Sequence, residues 1–314
     1  MSAPTVVSTA VHGSDGGGVT RSVDLPATIA SGNLLLMQLR ASDTGGVNVT
    51  ITVPTGWSNL GSRTSGGTTY WIGRVADGDE GATVSITMSE SGGLSANAYQ
   101  ITNWGGALSG VFVEFHSANE NTPPLLNHGQ GSRHTLWLAG ITARRTDWDI
   151  TADPANYSDR LSQRSSPFES NNLGRTTTAS ARRTLTAESE QPGAWTLSGT
   201  PDAIHVSTVA VLSPPSSFGI RITDIKEPNE ANTLVASVAS PRIKVWRGTD
   251  DSGAEDDLLG EDETDYPITN GILEVPLPTY SVDDVVTVEV MWTVGTERKL
   301  FIKETTVVDL GSGT

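Results

Sequence analysis

Val47-Asn48-Val49-Thr50-Ile51-Thr52-Val53 alternates apolar and polar residues without a break, and Ala82-Thr83-Val84-Ser85-Ile86-Thr87-Met88 does the same. Successive side chains of an extended chain point to opposite faces. Period two therefore predicts strands with Val, Ile and Met on a core and Thr, Ser and Asn on the other side. Working outward from these two runs, short β-branched or apolar stretches predict further strands at Val6–Val11, Asn33–Arg40, Thr68–Val75, Ala96–Thr102, Val111–His116, Thr135–Ile141 and Ala203–Leu212. No window keeps apolar residues at helical spacing for three turns. The runs are separated by turn formers, with 33 Gly and 16 Pro in 314 residues. Gly66-Gly67 stands where a tight hairpin into Thr68–Val75 needs positive φ. The expectation is an all-β chain whose first domain, with about nine strands, is a jelly-roll-like β-sandwich.

A boundary falls at Ser213-Pro214-Pro215-Ser216-Ser217, since Pro-Pro continues neither helix nor sheet. The expected organisation is a first domain over 1–213, a linker at 214–218 and a second domain over 219–314. Residues 1–218 hold 12 Arg, no Lys and 17 acids, 12 − 17 = −5; residues 219–314 hold 4 Arg, 4 Lys and 19 acids, 8 − 19 = −11. In the second domain, strands are expected at Phe218–Ile225, Thr233–Val238, Arg242–Trp246, Gly271–Leu277, Val285–Thr293 and Lys299–Val308. That number in so short a domain predicts a small immunoglobulin-like sandwich. Within the first domain, residues 142–190 are rich in Ser, Thr, Asn and Arg with poor periodicity. They read as a long Arg-rich insertion, of the kind that in compact domains is either functional or disordered.

Net charge −16 argues against a nucleic-acid partner, because phosphate backbones are held by clustered Lys and Arg. The longest apolar runs fall far short of the roughly 20 residues of a membrane-crossing helix. No basic-then-apolar leader opens the chain, so synthesis in a host cytoplasm without a signal peptide is expected. There is no cysteine, hence no disulfide or thiol chemistry. No His-Glu-x-x-His, Gly-x-Ser-x-Gly or phosphate-loop pattern occurs. Neither enzyme activity nor a cofactor is expected.

One stretch carries a family likeness. Gly32-Asn33-Leu34-Leu35-Leu36-Met37 is followed by Val53-Pro54-Thr55-Gly56-Trp57, then Ser65-Gly66-Gly67-Thr68-Thr69-Tyr70-Trp71, then Ala76-Asp77-Gly78-Asp79-Glu80-Gly81-Ala82-Thr83-Val84. This resembles a β-sandwich module of tailed-phage virion structural proteins, in which P-x-G-W and A-x-G-x-E-G-x-x-V bracket a hairpin. Physically, Pro54 ends a strand, Gly56 allows the turn, and Trp57 is delivered onto the sheet as an apolar plug. The resemblance implies a non-enzymatic virion protein, first a capsid decoration, cement protein or head spike. The alternative is a tail fibre or receptor-binding protein recognising host surface glycans. It further implies the major capsid protein or another virion protein as partner, and a homo-oligomer, with a trimer favoured.

Three groups of residues are candidates for contact. Arg133, Arg144, Arg145, Arg160, Arg164, Arg175, Arg182 and Arg183 stand against five acids in the same span, a net of +3. Arginine suits planar, bidentate contact with carboxylates and is enriched at interfaces. These eight are the expected partner interface, the bland reading being pairing with the protein's own acids. Among the eight Trp, Trp148 and Trp195 lie in or beside the insertion and are the expected exposed pair, the possible sugar contact. Trp71, Trp137, Trp246 and Trp292 lie in predicted strands and read as core. The segment 249–265 holds nine acids and no base. Asp250, Asp251, Asp256 and Asp257 are a calcium candidate there, although the spacing fits no EF-hand and a solvated acidic loop is the simpler reading. No other metal site is expected.

Overall fold

In the computed structural model both alternating runs face a core: Val49, Ile51, Ile86 and Met88 are buried, while Asn48, Thr50, Thr52, Ser85 and Thr87 are exposed. The structure describes residues 2–14, 18–43, 48–116, 120–144, 148–165 and 175–214, and beyond those the backbone of the strands named below. The chain divides into two compact units, Ser2–Pro214 and Pro215–Thr314.

The first unit is all-β. Its strands are β1 (Thr5–Ser14), β2 (Thr20–Asp24), β3 (Leu34–Asp43), β4 (Ile51–Thr52), β5 (Ser58–Thr64), β6 (Thr68–Val75), β7 (Thr83–Met88) and β8 (Gly92–Thr102). They are followed by β9 (Val111–His116), β10 (Leu126–Asn127), β11 (Arg133–Arg144), β12 (Ile150–Ala152), β13 (Ser158–Arg164), β14 (Thr176–Ala187), β15 (Ser189–Glu190), β16 (Thr196–Leu197) and β17 (Asp202–Leu212). Two five-stranded antiparallel sheets, ordered β1-β8-β3-β6-β5 and β13-β14-β11-β17-β9, stack face to face. A small sheet β2-β7-β4 covers the outer face of the first, and the ribbons β10-β15 and β12-β16 cover that of the second.

This layering explains the unbroken apolar run of β3. Leu35, Met37, Leu39 and Ala41 pack outward against Val23, Ile86 and Met88, whereas Leu34 and Leu36 pack inward against the second sheet. A strand covered on both faces cannot alternate.

The two halves of the unit repeat one plan. Replacing β1, β8, β3, β6 and β5 by β9, β17, β11, β14 and β13 converts the first sheet order into the second. The crossed contacts agree, for β5 lies on β9 as β13 lies on β1. Corresponding turns match in detail. Gly56 at φ +81° and Asn156 at φ +66° fill the same place in Pro54-Thr55-Gly56-Trp57 and Pro154-Ala155-Asn156-Tyr157. The N–H of Trp57 donates to Pro54 O and that of Tyr157 to Pro154 O, each at 3.0 Å, and both rings are buried.

The expected insertion at 142–190 is therefore corrected: most of it is the equivalent of β4 to β7. Its periodicity is poor because β14 has polar residues on both faces. Thr176, Thr178 and Ser180 enter the space between the sheets, while Thr177, Ala179 and Ala181 face the outer layer, all of them buried. Among the described residues, the expected sandwich of about nine strands becomes seventeen strands in two halves.

The second unit contains β18 (Phe218–Ile222), β19 (Ser237–Val238), β20 (Arg242–Arg247), β21 (Asp257–Glu263), β22 (Ile268–Thr269), β23 (Leu273–Pro276), β24 (Val285–Val294), β25 (Glu297–Thr306) and β26 (Val308–Asp309). They form antiparallel sheets β21-β20-β24-β25, β23-β18-β26 and β19-β22. Thr287, Val288 and Val290 are buried.

Candidate functional site

The space between the two large sheets changes character along the strands. Leu34, Leu36, Leu136, Leu138, Val209 and Val211 fill one end. The same faces continue as Gln38 and Arg40 on β3, Thr142 on β11, and Ser207 and His205 on β17, all buried. Facing hydroxyls join the sheets: Thr69 to Thr142 at 2.6 Å and Ser95 to Thr178 at 2.7 Å. The Trp71 indole N–H donates to Ser207 Oγ at 2.9 Å. Gly140 is required here, because a Cβ would lie 2.7 Å from Gln38 Nε2 and 3.1 Å from Trp71.

Arg40 is the centre of this polar end and has no exposed surface. Its Nη2 donates to Gly66 O at 2.8 Å and Ala203 O at 3.1 Å; its Nη1 donates to His205 Nδ1 at 2.7 Å and Thr69 Oγ1 at 3.2 Å. His205 Nε2 donates to Ser65 O at 3.0 Å. Burial, with the nearby Arg40 charge, pushes the imidazole down to about 3. It is thus neutral with both nitrogens engaged, which suits a structural tie and not a general base. Burial and the field of Arg144 bring Arg40 down to about 9, still cationic at neutral pH. The cluster fastens the β5–β6 turn to Ala203, held at φ +48°.

The arginines expected to form one interface are dispersed. Arg133 and Arg144 sit at opposite ends of β11, about 35 Å apart at strand rise. Four arginines pair within the unit: Arg160 with Asp153 at 3.1 Å, Arg164 with Asp149 at 2.6 Å, Arg182 with Asp159 at 3.2 Å and Arg183 with Glu190 at 2.7 Å. Arg160 also donates to Ile150 O, and Arg164 to Trp148 O, so the two bind the β12 segment to the edge strand β13. Arg183 lies over the Tyr157 ring, 5.4 Å from its centre, and Glu190 accepts from the Tyr157 hydroxyl. Arg133 donates to Ser213 O at the end of the unit. Arg144 and Arg175 have partners as well, and Arg145 lies outside the described residues. Arg182 and Arg183 border a surface cleft that also includes Pro4, Leu136 and Asp159.

No family model, curated protein or solved structure matches the chain. The site is therefore read from its own residues.

Trp148 and Trp195 are corrected from exposed to buried. They are 2% and 0% exposed, locked with Trp137 and Tyr157 in the outer core of the second half. Stacking on a sugar needs an open ring face, which neither presents. Trp71 and Trp137 are core as expected. Of the calcium candidates, Asp250, Asp251 and Asp256 lie outside the described residues, and only the backbone of Asp257 is placed, at the start of β21.

Another carboxylate group, Asp77, Asp79 and Glu80, sits in the turn after β6. Glu80 accepts the N–H groups of Asp77 and Gly78 and faces Arg74 at 3.3 Å. These contacts outweigh its partial desolvation and hold the carboxyl below its ordinary range, so the group works as a turn clasp. Among the described residues, no helix is long and apolar enough to cross a membrane.

Sequence reading missed Arg40 and His205 because they are 165 positions apart. The available signal was Gln38 and Arg40 interrupting the apolar run of β3.

Proposed function

We propose that the protein is a non-enzymatic structural component of a tailed-phage particle, decorating or spiking the outside of the head. The observation that carries this reading is the β5–β6 hairpin. Pro54-Thr55-Gly56-Trp57 leads into it and Ala76-Asp77-Gly78-Asp79-Glu80-Gly81 follows it. That is the arrangement of the phage module which this stretch resembles.

We read the order β1-β8-β3-β6 against β2-β7-β4 as a jelly roll whose remaining strand, β5, has joined the larger sheet, with a second jelly roll after it. The C-terminal unit is read as immunoglobulin-like. Stacked sheets joined by buried hydrogen bonds suit a rigid external part. The partner is the major capsid protein or another virion protein, and the assembly a homo-oligomer. Immunogold labelling of intact particles tests the reading. Gold on the head supports it, and gold confined to tail tips, or no labelling of particles, overturns it.

A further inference from the structure

We infer that Arg40, Arg63 and His205 frame a binding site for a small inorganic anion at the mouth of the polar layer between the two sheets. The three share one end of the sandwich. Arg40 on β3 is paired with Thr69 on β6, and Thr69 with Arg63 on the edge strand β5, so the two guanidinium groups belong to one row across the first sheet. His205 faces that row from β17 and touches both Arg40 and Thr69.

Two cations stand here without an acid. Arg40 is fully buried, and its four Nη contacts go to two carbonyls, a hydroxyl and a neutral imidazole. Its Nε is buried with no hydrogen-bond partner. Arg63 is half-buried, with its Nε equally buried and unpartnered. Among the described residues neither has an ion pair. Their charges add, because Arg63 and Arg40 both act on His205 and Arg144 acts on Arg40.

Buried charges in folded proteins are paired or bind ions, since desolvating one alone is costly. Half-buried Arg74, Arg164, Arg182 and Arg183 each meet a carboxylate, as does the more exposed Arg160, whereas Arg21 and Arg133, also half-buried, donate to backbone carbonyls. An anion placed between Arg63 and the Nε of Arg40 would complete both and neutralise the repulsion. The carbonyls of Ser65, Gly66 and Ala203 are already committed to Arg40 and His205. Facing sheets pack about 10 Å apart, which restricts the guest to halide or single-oxyanion size.

The test is thermal unfolding of the full chain in sodium chloride and in sodium phosphate. Each is compared with sodium gluconate, whose anion is too large to enter, at equal ionic strength. Saturation is expected to raise Tm by about 2–5 °C in the wild type. In Arg63→Gln the rise should disappear, leaving only the general salt effect common to both proteins. A response to chloride alone assigns a halide, and one to phosphate alone an oxyanion. Equal responses of wild type and variant overturn the site. If Arg63→Gln does not fold, a wild-type crystal soaked in bromide decides: an anomalous peak beside Arg40 and Arg63 supports the inference, and its absence overturns it.

Discussion

Lowering the pH from 7 to 4 acts on the Arg40–His205 tie. The His205 imidazole is pushed down to about 3 from an ordinary 6.5, so the fold keeps it neutral while the unfolded chain takes up a proton below pH 6.5. Where the unfolded state binds more protons, stability falls as pH falls. The contribution is therefore fully present above pH 6.5 and is lost progressively toward pH 3. At about 1.4 kcal/mol per unit, the loss is about 3 kcal/mol at pH 4 and about 5 kcal/mol once complete. Arg40, at about 9, keeps its charge over this range and cannot relieve the clash.

His205→Gln removes the titration and leaves an acceptor for Arg40 and a donor for Ser65. Urea unfolding at pH 7, 6, 5 and 4, followed by Trp fluorescence, reports chiefly the first unit, where six of the eight Trp lie. Whatever the stability difference at pH 7, it should move by about 3 kcal/mol in the variant's favour by pH 4, other groups cancelling. A difference constant to within about 1 kcal/mol across that range refutes the buried, neutral His205.

Other consequences can be checked separately. Arg183→Gln breaks a pair whose side chains are only 20% and 10% exposed and removes the contact with Tyr157. It should lower stability by about 1.5–3 kcal/mol in urea unfolding, against less than about 1 kcal/mol for Arg182→Gln, whose partner Asp159 is 62% exposed. Trp195→Ala should cost about 3–5 kcal/mol. In the wild type, iodide should leave the Trp148 and Trp195 emission unquenched, and ready quenching would contradict their burial. The matched turns predict opposite outcomes for two substitutions: Gly56→Val at φ +81° should cost about 1–2 kcal/mol, whereas Asn156→Gly at φ +66° should cost almost nothing.

Alternation along single strands was legible in the chain itself. Ala82–Met88, Thr68–Val75 and Val111–His116 show their strands because neighbouring residues differ in polarity, or are β-branched and aromatic, irrespective of what packs on them, whereas of the alternating run 48–53 only Ile51–Thr52 is a strand. The Pro54–Trp57 turn was legible for a similar reason, since Pro and Gly impose backbone geometry locally.

The doubling of the first unit was not. Its two halves share strand order and one turn at a spacing of 100 residues, but the second half exchanges Gly56 and Trp57 for Asn156 and Tyr157. It also places Thr, Ser and Ala where the first half has longer apolar side chains. In β14 such residues read as loop, because both faces are polar or small; only the sheet beneath, with its own Ser95 and Asn97, makes burying them favourable.

The fate of Trp148, Trp195 and the arginines was likewise decided by tertiary contact. Whether a Trp is a plug or a platform, and whether an Arg meets its own Asp or waits for a partner, depends on strands brought together from distant positions. Arg40 and His205 state the rule most sharply. Neither strand by itself shows the pairing, and together they acquire a shifted protonation equilibrium, because folding removes water from both and places one charge against the other.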